Sequence, residues 1–116
     1  MKYLVLIYAD EHAWESADPE GRAAMYKEYG VLAQELGGTG EMLGGDELAP
    51  TATATTVRVS DGERLVTDGP FAETKEQLGG YFLVDVEDLD RAIEIAARIP
   101  AARHGSIEIR PVADGP

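Results

Sequence analysis

Lys2-Tyr3-Leu4-Val5-Leu6-Ile7-Tyr8-Ala9 opens the chain with an extended run whose apolar side chains fall on both faces. Tyr3, Val5, Ile7 and Ala9 point one way and Leu4, Leu6 and Tyr8 the other, because successive strand side chains alternate. A strand that is dry on both faces needs a cover on each. Helices can supply one cover, and a second sheet or a second subunit the other. With one basic residue and Asp10-Glu11 directly after it, the run reads as a strand and not as a secretory leader. No apolar run approaches the ~18 residues of a membrane span. A cytoplasmic location is the resulting expectation.

Working outward, Asp10–Asp18 reads as a loop holding His12 and Trp14. Asp18-Pro19 then has the form of a helix start, with Asp18 as N-cap and Pro19 at the first helical position. Met25, Tyr29, Leu32, Ala33 and Leu36 share one helical face, so a helix is expected over Pro19–Leu36, ended by Gly37-Gly38. Glu41–Leu48 is a weaker strand broken by Gly44-Gly45. Thr55–Ser60 and Glu63–Thr67 flank Asp61-Gly62, a two-residue hairpin turn. Tyr81–Val86 is the next strand. Asp88 can cap a second helix whose apolar stripe reads Leu89, Ala92, Ile93, Ala96, Ala97, with Pro100 ending it. Ser106–Val112 is the last strand, and 113–116 reads as a frayed tail after a single domain over 1–112.

Strand, helix, strand, hairpin, strand, helix, strand is the split βαβ order of an α+β, ferredoxin-like sheet with an added β-hairpin. Both helices then cover one sheet face. The other face is apolar, and a homodimer is the simplest way to bury it.

Between the hairpin and the next strand runs Asp68-Gly69-Pro70-Phe71-Ala72-Glu73-Thr74-Lys75-Glu76-Gln77-Leu78-Gly79-Gly80-Tyr81-Phe82. It combines a tight Asp-Gly-Pro turn, a charged segment, a Gly-Gly pair read as a hinge, and an aromatic strand start. This stretch resembles the signature of the YCII-related family, in the branch named for its DGPF (DGPFAETKE) motif. Leu6-Ile7-Tyr8, Thr53–Arg58, Ala96–Ala102 and Glu108–Val112 extend the resemblance over nearly the whole chain. It implies a dimeric α+β barrel, and a genetic link to extracytoplasmic-function sigma factors. It implies no particular reaction. Some relatives, one of them a dehydrochlorinase, carry a His–Asp pair with the histidine in the first helix. The helix expected over Pro19–Leu36 has no histidine, so that chemistry does not transfer.

The formal net charge of −12, from 22 acidic and 10 basic residues, argues against nucleic acid and anionic membranes as partners. It suits a well-solvated surface, a cationic ligand or a basic protein. The chain has no cysteine, which excludes disulfides and thiolate metal sites. His12 beside Asp10, Glu11 and Glu15 lacks the spacing of a metal site, and neither it nor His104 belongs to a nucleophilic triad. Nothing in the residues names a cofactor.

The candidate site is therefore a pocket bordered by the signature loop. Asp68 is the candidate general base or ligand-binding carboxylate, although an Asp before Gly-Pro also suits a turn that accepts backbone amides. Lys75 is the candidate counter-charge, either for Asp68 or for an anionic ligand, and Glu73 and Glu76 lie beside it. Phe71, Tyr81 and Tyr8 are candidate walls, with packing the competing role for each. The alternative function is a non-enzymatic accessory module that contacts a sigma factor.

Overall fold

The computed structural model describes residues 1–114. Strands β1 (Lys2–Ala9), β2 (Met42–Glu47), β5 (Gln77–Asp85) and β6 (Ser106–Pro111) form one sheet, and β3 (Thr55–Ser60) pairs with β4 (Glu63–Asp68) in a separate hairpin. Three helices accompany them: α1 (Glu11–Ser16), α2 (Pro19–Thr39) and α3 (Leu89–Arg98). The sheet order is β2-β5-β1-β6, with every neighbouring pair antiparallel. This is the α+β, ferredoxin-like arrangement, with the β3–β4 hairpin added between β2 and β5.

The two faces of β1 behave differently. Tyr3, Val5 and Ile7 are buried against the helices, whereas Leu4, Leu6 and Tyr8 are only half-buried. Leu32 and Leu36 of α2 meet Ala92, Ile95, Ala96 and Ile99 of α3 and its exit over Val5 and Val84. Burying each of the leucine, isoleucine and valine side chains among them contributes about 1.5–3 kcal/mol. Three arginine–carboxylate pairs stitch the outside of this layer. Arg103 grips Glu28 through two hydrogen bonds of 2.9 and 3.0 Å. Arg98 meets Glu35 at 2.7 Å, and Arg91 meets Glu41 at 2.8 Å.

The helix starts follow their caps. Asp18 accepts from the Gly21 amide at 2.6 Å, and Asp88 accepts from the Arg91 amide at 2.9 Å. Four local expectations need correction. Asp10–Asp18 is not all loop, because Asp10 accepts from the His12 amide and caps the short α1. Helix α2 runs through Gly37 and Gly38 to Thr39, since Gly40, at φ 79°, makes the left-handed exit. The Gly79-Gly80 pair lies inside β5 and is not a hinge. β5 starts at Gln77, with a bulge opposite Ile7 and Tyr8. The stripe on α3 is also rotated. Ile95 and Ile99 are buried and Leu89 and Ile93 are about half exposed, because the larger i, i+4 pair points into the core. Of the tail, Ala113 and Asp114 form no regular element, and 115–116 lie outside the described residues.

The Asp61-Gly62 turn forms as expected, with φ of 50° and 78°, the left-handed pair that a two-residue hairpin requires. Gly105 has a different function. A Cβ there would sit 2.1 Å from the Tyr8 carbonyl oxygen, so only glycine lets the chain enter β6 this close to β1.

Candidate functional site

Residues paired across antiparallel strands point to the same face, so the register maps the sheet face turned away from the helices. One row crosses all four strands: Asp46 on β2, Tyr81 on β5, Leu6 on β1 and Glu108 on β6. On one side of it lies Gly44, Leu83, Leu4 and Arg110. On the other lies Leu78, Tyr8 and Ser106. The centre is therefore four leucines and two tyrosines, all half-buried, between polar rims on the two edge strands.

Both tyrosines use their hydroxyls on this face. Tyr81 donates to Asp46 Oδ2, and Tyr8 donates to Glu108 Oε1, each at 3.4 Å. At that length the bonds are loose, so each carboxylate keeps acceptor capacity for another donor. Ser106, paired with Tyr8, donates to Glu76 Oε1 at 2.7 Å. Glu76 thus ties the part of the signature segment that precedes β5 to this face. It is held there by a local turn in which the Thr74 hydroxyl donates to the Glu76 carbonyl and the Gln77 side-chain Nε2 donates to the Thr74 carbonyl.

The chain matches the model of the YCII-related domain over residues 1–115. It belongs to that family. It is 38% identical over 115 residues to uncharacterized protein R00369 of Rhizobium meliloti (strain 1021), an alignment spanning 97% of this chain and 93% of the relative.

In this YCII-related chain the sequence-derived candidates separate into two groups. Tyr8 and Tyr81 share the open sheet face. Asp68, Phe71 and Lys75 lie along the exposed signature segment, Asp68 as the last residue of β4, paired with Thr55. No ion pair joins Asp68 to Lys75. The Asp68 side chain makes no hydrogen bond to the turn. The Gly69 amide donates to Ala54 O instead, at 2.7 Å. Phe71 is 78% exposed.

Two concavities of the single chain lie elsewhere. One is an open apolar groove of about 350 Å³ between α3 and β6. The other lies beside Met1 and Asp114. No cluster of metal-binding side chains occurs among the described residues.

His12 lies inside α1 with its ring exposed, so the first helix does carry a histidine. No hydrogen bond from that ring to a carboxylate is formed among the described residues. Beside it, Trp14 packs edge-on against Tyr26 at 5.4 Å, and Tyr26 donates to Glu47 Oε1 at 2.9 Å. That bond to Glu47 raises the Tyr26 hydroxyl above its ordinary pKa. Asp46 and Glu108 escaped the reading from sequence. Their signal was present for Glu108, which alternates with Ile107 and Ile109 and so faces away from the helices. Only the register sets it beside Tyr8.

Proposed function

We propose that this chain is a small-molecule-binding protein of the DGPF (DGPFAETKE) branch that works as a homodimer. The ligand lies over the open sheet face, bordered by the 68–76 segment. The observation that carries the reading is the pair of tyrosine hydroxyls, each backed by a carboxylate, set among leucines on a face its own helices leave uncovered. A face of this composition suits a ligand with an apolar body and hydrogen-bond donors or a cationic group. Asp46, Glu76 and Glu108 would accept from it, and Tyr8 and Tyr81 would orient it. Dimerisation turns an open face into an enclosed one, where those polar contacts gain strength from exclusion of water. Asp68 and Lys75 would then act from the border of the site, and Phe71 as part of its wall.

A thermal-shift and NMR screen of amines, amino alcohols and hydroxylated aromatics tests this. Tyr8→Phe and Tyr81→Phe are expected to weaken any hit by about tenfold, at ~1.4 kcal/mol per lost hydrogen bond. Hits that ignore both substitutions and leave the resonances of Leu4, Leu6 and Leu83 unmoved would sink the reading. Turnover of a bound hit, and its loss in Asp68→Asn, would make the protein an enzyme.

A second reading rests on the charge of −12, which suits a basic partner protein. Retention of an extracytoplasmic-function sigma factor at low salt, lost at high salt, supports it. No retention at low salt removes it.

A further inference from the structure

The β3–β4 hairpin does not belong to the body that carries it. It joins neither edge of the main sheet, and no helix packs extensively against it. An isolated two-stranded hairpin is marginally stable in water. Yet Val57, Val59, Leu65 and Val66, together with Phe71 just beyond, expose large apolar side chains here. Val57 opposes Val66 and Val59 opposes Arg64, so three valines share one hairpin face, all more than half exposed. A hairpin that only met water would carry polar side chains on that face.

The base of the hairpin is nonetheless anchored. Glu11 accepts from the Thr51 amide at 2.7 Å and from the Thr51 hydroxyl at 2.8 Å. The Glu11 amide donates to the Gln77 side chain at 3.0 Å. The Leu48 amide donates to Gly79 O, and Gly69 to Ala54 O. An arm aimed in this way loses less entropy when it docks.

The shape agrees. The chain measures 47 × 46 × 19 Å, with a radius of gyration of 16.1 Å. A self-contained domain of this length has about 13 Å.

We infer that this hairpin is a clasp that packs its valine face, with Phe71, onto a second copy of the chain. The inference rests on the homodimer of the preceding reading and adds what holds it together. Four strands of six to nine residues give the open sheet face a footprint of roughly 450 Å². Doubled for side-chain relief, that only just reaches the ~800 Å² per partner of a stable interface, so a further contact strengthens it. Each arm adds roughly 200 Å² of its own, and as much again where the other copy's arm lands. Two-fold symmetry makes the exchange reciprocal. Charge also favours it. Residues 55–68 carry Arg58, Arg64, Asp61, Glu63 and Asp68, a net −1, so nearly all of the −12 resides elsewhere. An apolar arm of so little charge meets little repulsion on an acidic copy.

The chain has no cysteine, so Val59→Cys labelled with a benzophenone maleimide gives one photo-crosslinker on the arm. Mixing ¹⁴N and ¹⁵N chains before irradiation distinguishes the source of each cross-linked peptide. Expected are mixed-isotope links from the arm to the body of the other copy, in a particle of about twice 12.5 kDa by light scattering. A Val57→Asp, Val66→Asp variant should raise the dimer dissociation constant at least tenfold with an unchanged far-UV spectrum. Links confined to one isotope in a particle of dimer mass would overturn the clasp and leave the dimer standing. A monomer mass at every concentration would overturn both.

Discussion

Ser106 Oγ donates to Glu76 Oε1 at 2.7 Å, so the last strand of the sheet holds the end of the signature segment across 30 residues of chain. This bond ties that segment to the edge of the tyrosine face. Ser106→Ala should leave the fold intact and release 69–76. Hydrogen exchange of those amides should rise several-fold, with global stability lowered by about 0.5–1 kcal/mol. Unchanged exchange would show that the local Thr74–Gln77 turn is sufficient.

The rotation of α3 separates otherwise similar substitutions on one helix. Ile95→Ala should cost about 2–5 kcal/mol in urea unfolding, because Ile95 has no exposed surface. Ile93→Ala and Leu89→Ala, half exposed, should cost less than about 1 kcal/mol. Equal losses would contradict the orientation of the helix.

Two glycine substitutions should move stability in opposite directions. Gly105→Ala forces a Cβ against the Tyr8 carbonyl and should cost about 2 kcal/mol or more. Gly38→Ala lies within α2 with open space around it and should add about 0.5–1 kcal/mol. Melting temperatures of the two variants check both.

Glu41 makes the acid limb of stability testable. The Arg91 guanidinium, and then the Thr39 hydroxyl, hold its carboxyl down to about 2. A carboxyl lowered on folding contributes stability that is complete above its unfolded value near 4.5 and disappears as pH falls toward 2. Glu41→Gln should therefore melt ~2–5 °C below the parent at pH 7, with the gap closing between pH 4.5 and 2. A gap that stays constant down to pH 2 would exclude this origin.

The acidic charge would give the proposed dimer an unusual salt response. Two copies of −12 repel, so raising salt should strengthen self-association. Sedimentation at low and high salt measures it. Weaker association at high salt would point to ionic contacts in place of apolar ones.

What could be read from the residues was local. Asp18-Pro19 and Asp88 mark helix starts because a cap acts on amides three residues away. Asp61-Gly62 makes its turn because two left-handed residues suffice. The two dry faces of Lys2–Ala9 required a cover on each, and the helices supply one. These interactions close within a few residues, so the chain order reveals them. The tyrosine face was not legible in this way. Tyr81 meets Asp46 across 35 residues and Tyr8 meets Glu108 across 100. Both contacts depend on strand register, and a one-residue slip would send each partner to the opposite face. Gly79-Gly80 became strand, and α3 turned Ile95 inward, through packing against distant elements. Sequence alone thus determined the order of the strands and of the two long helices, with their caps at Asp18 and Asp88. The tertiary structure decided which side chains share a surface, because register and helix rotation are set by the whole core at once.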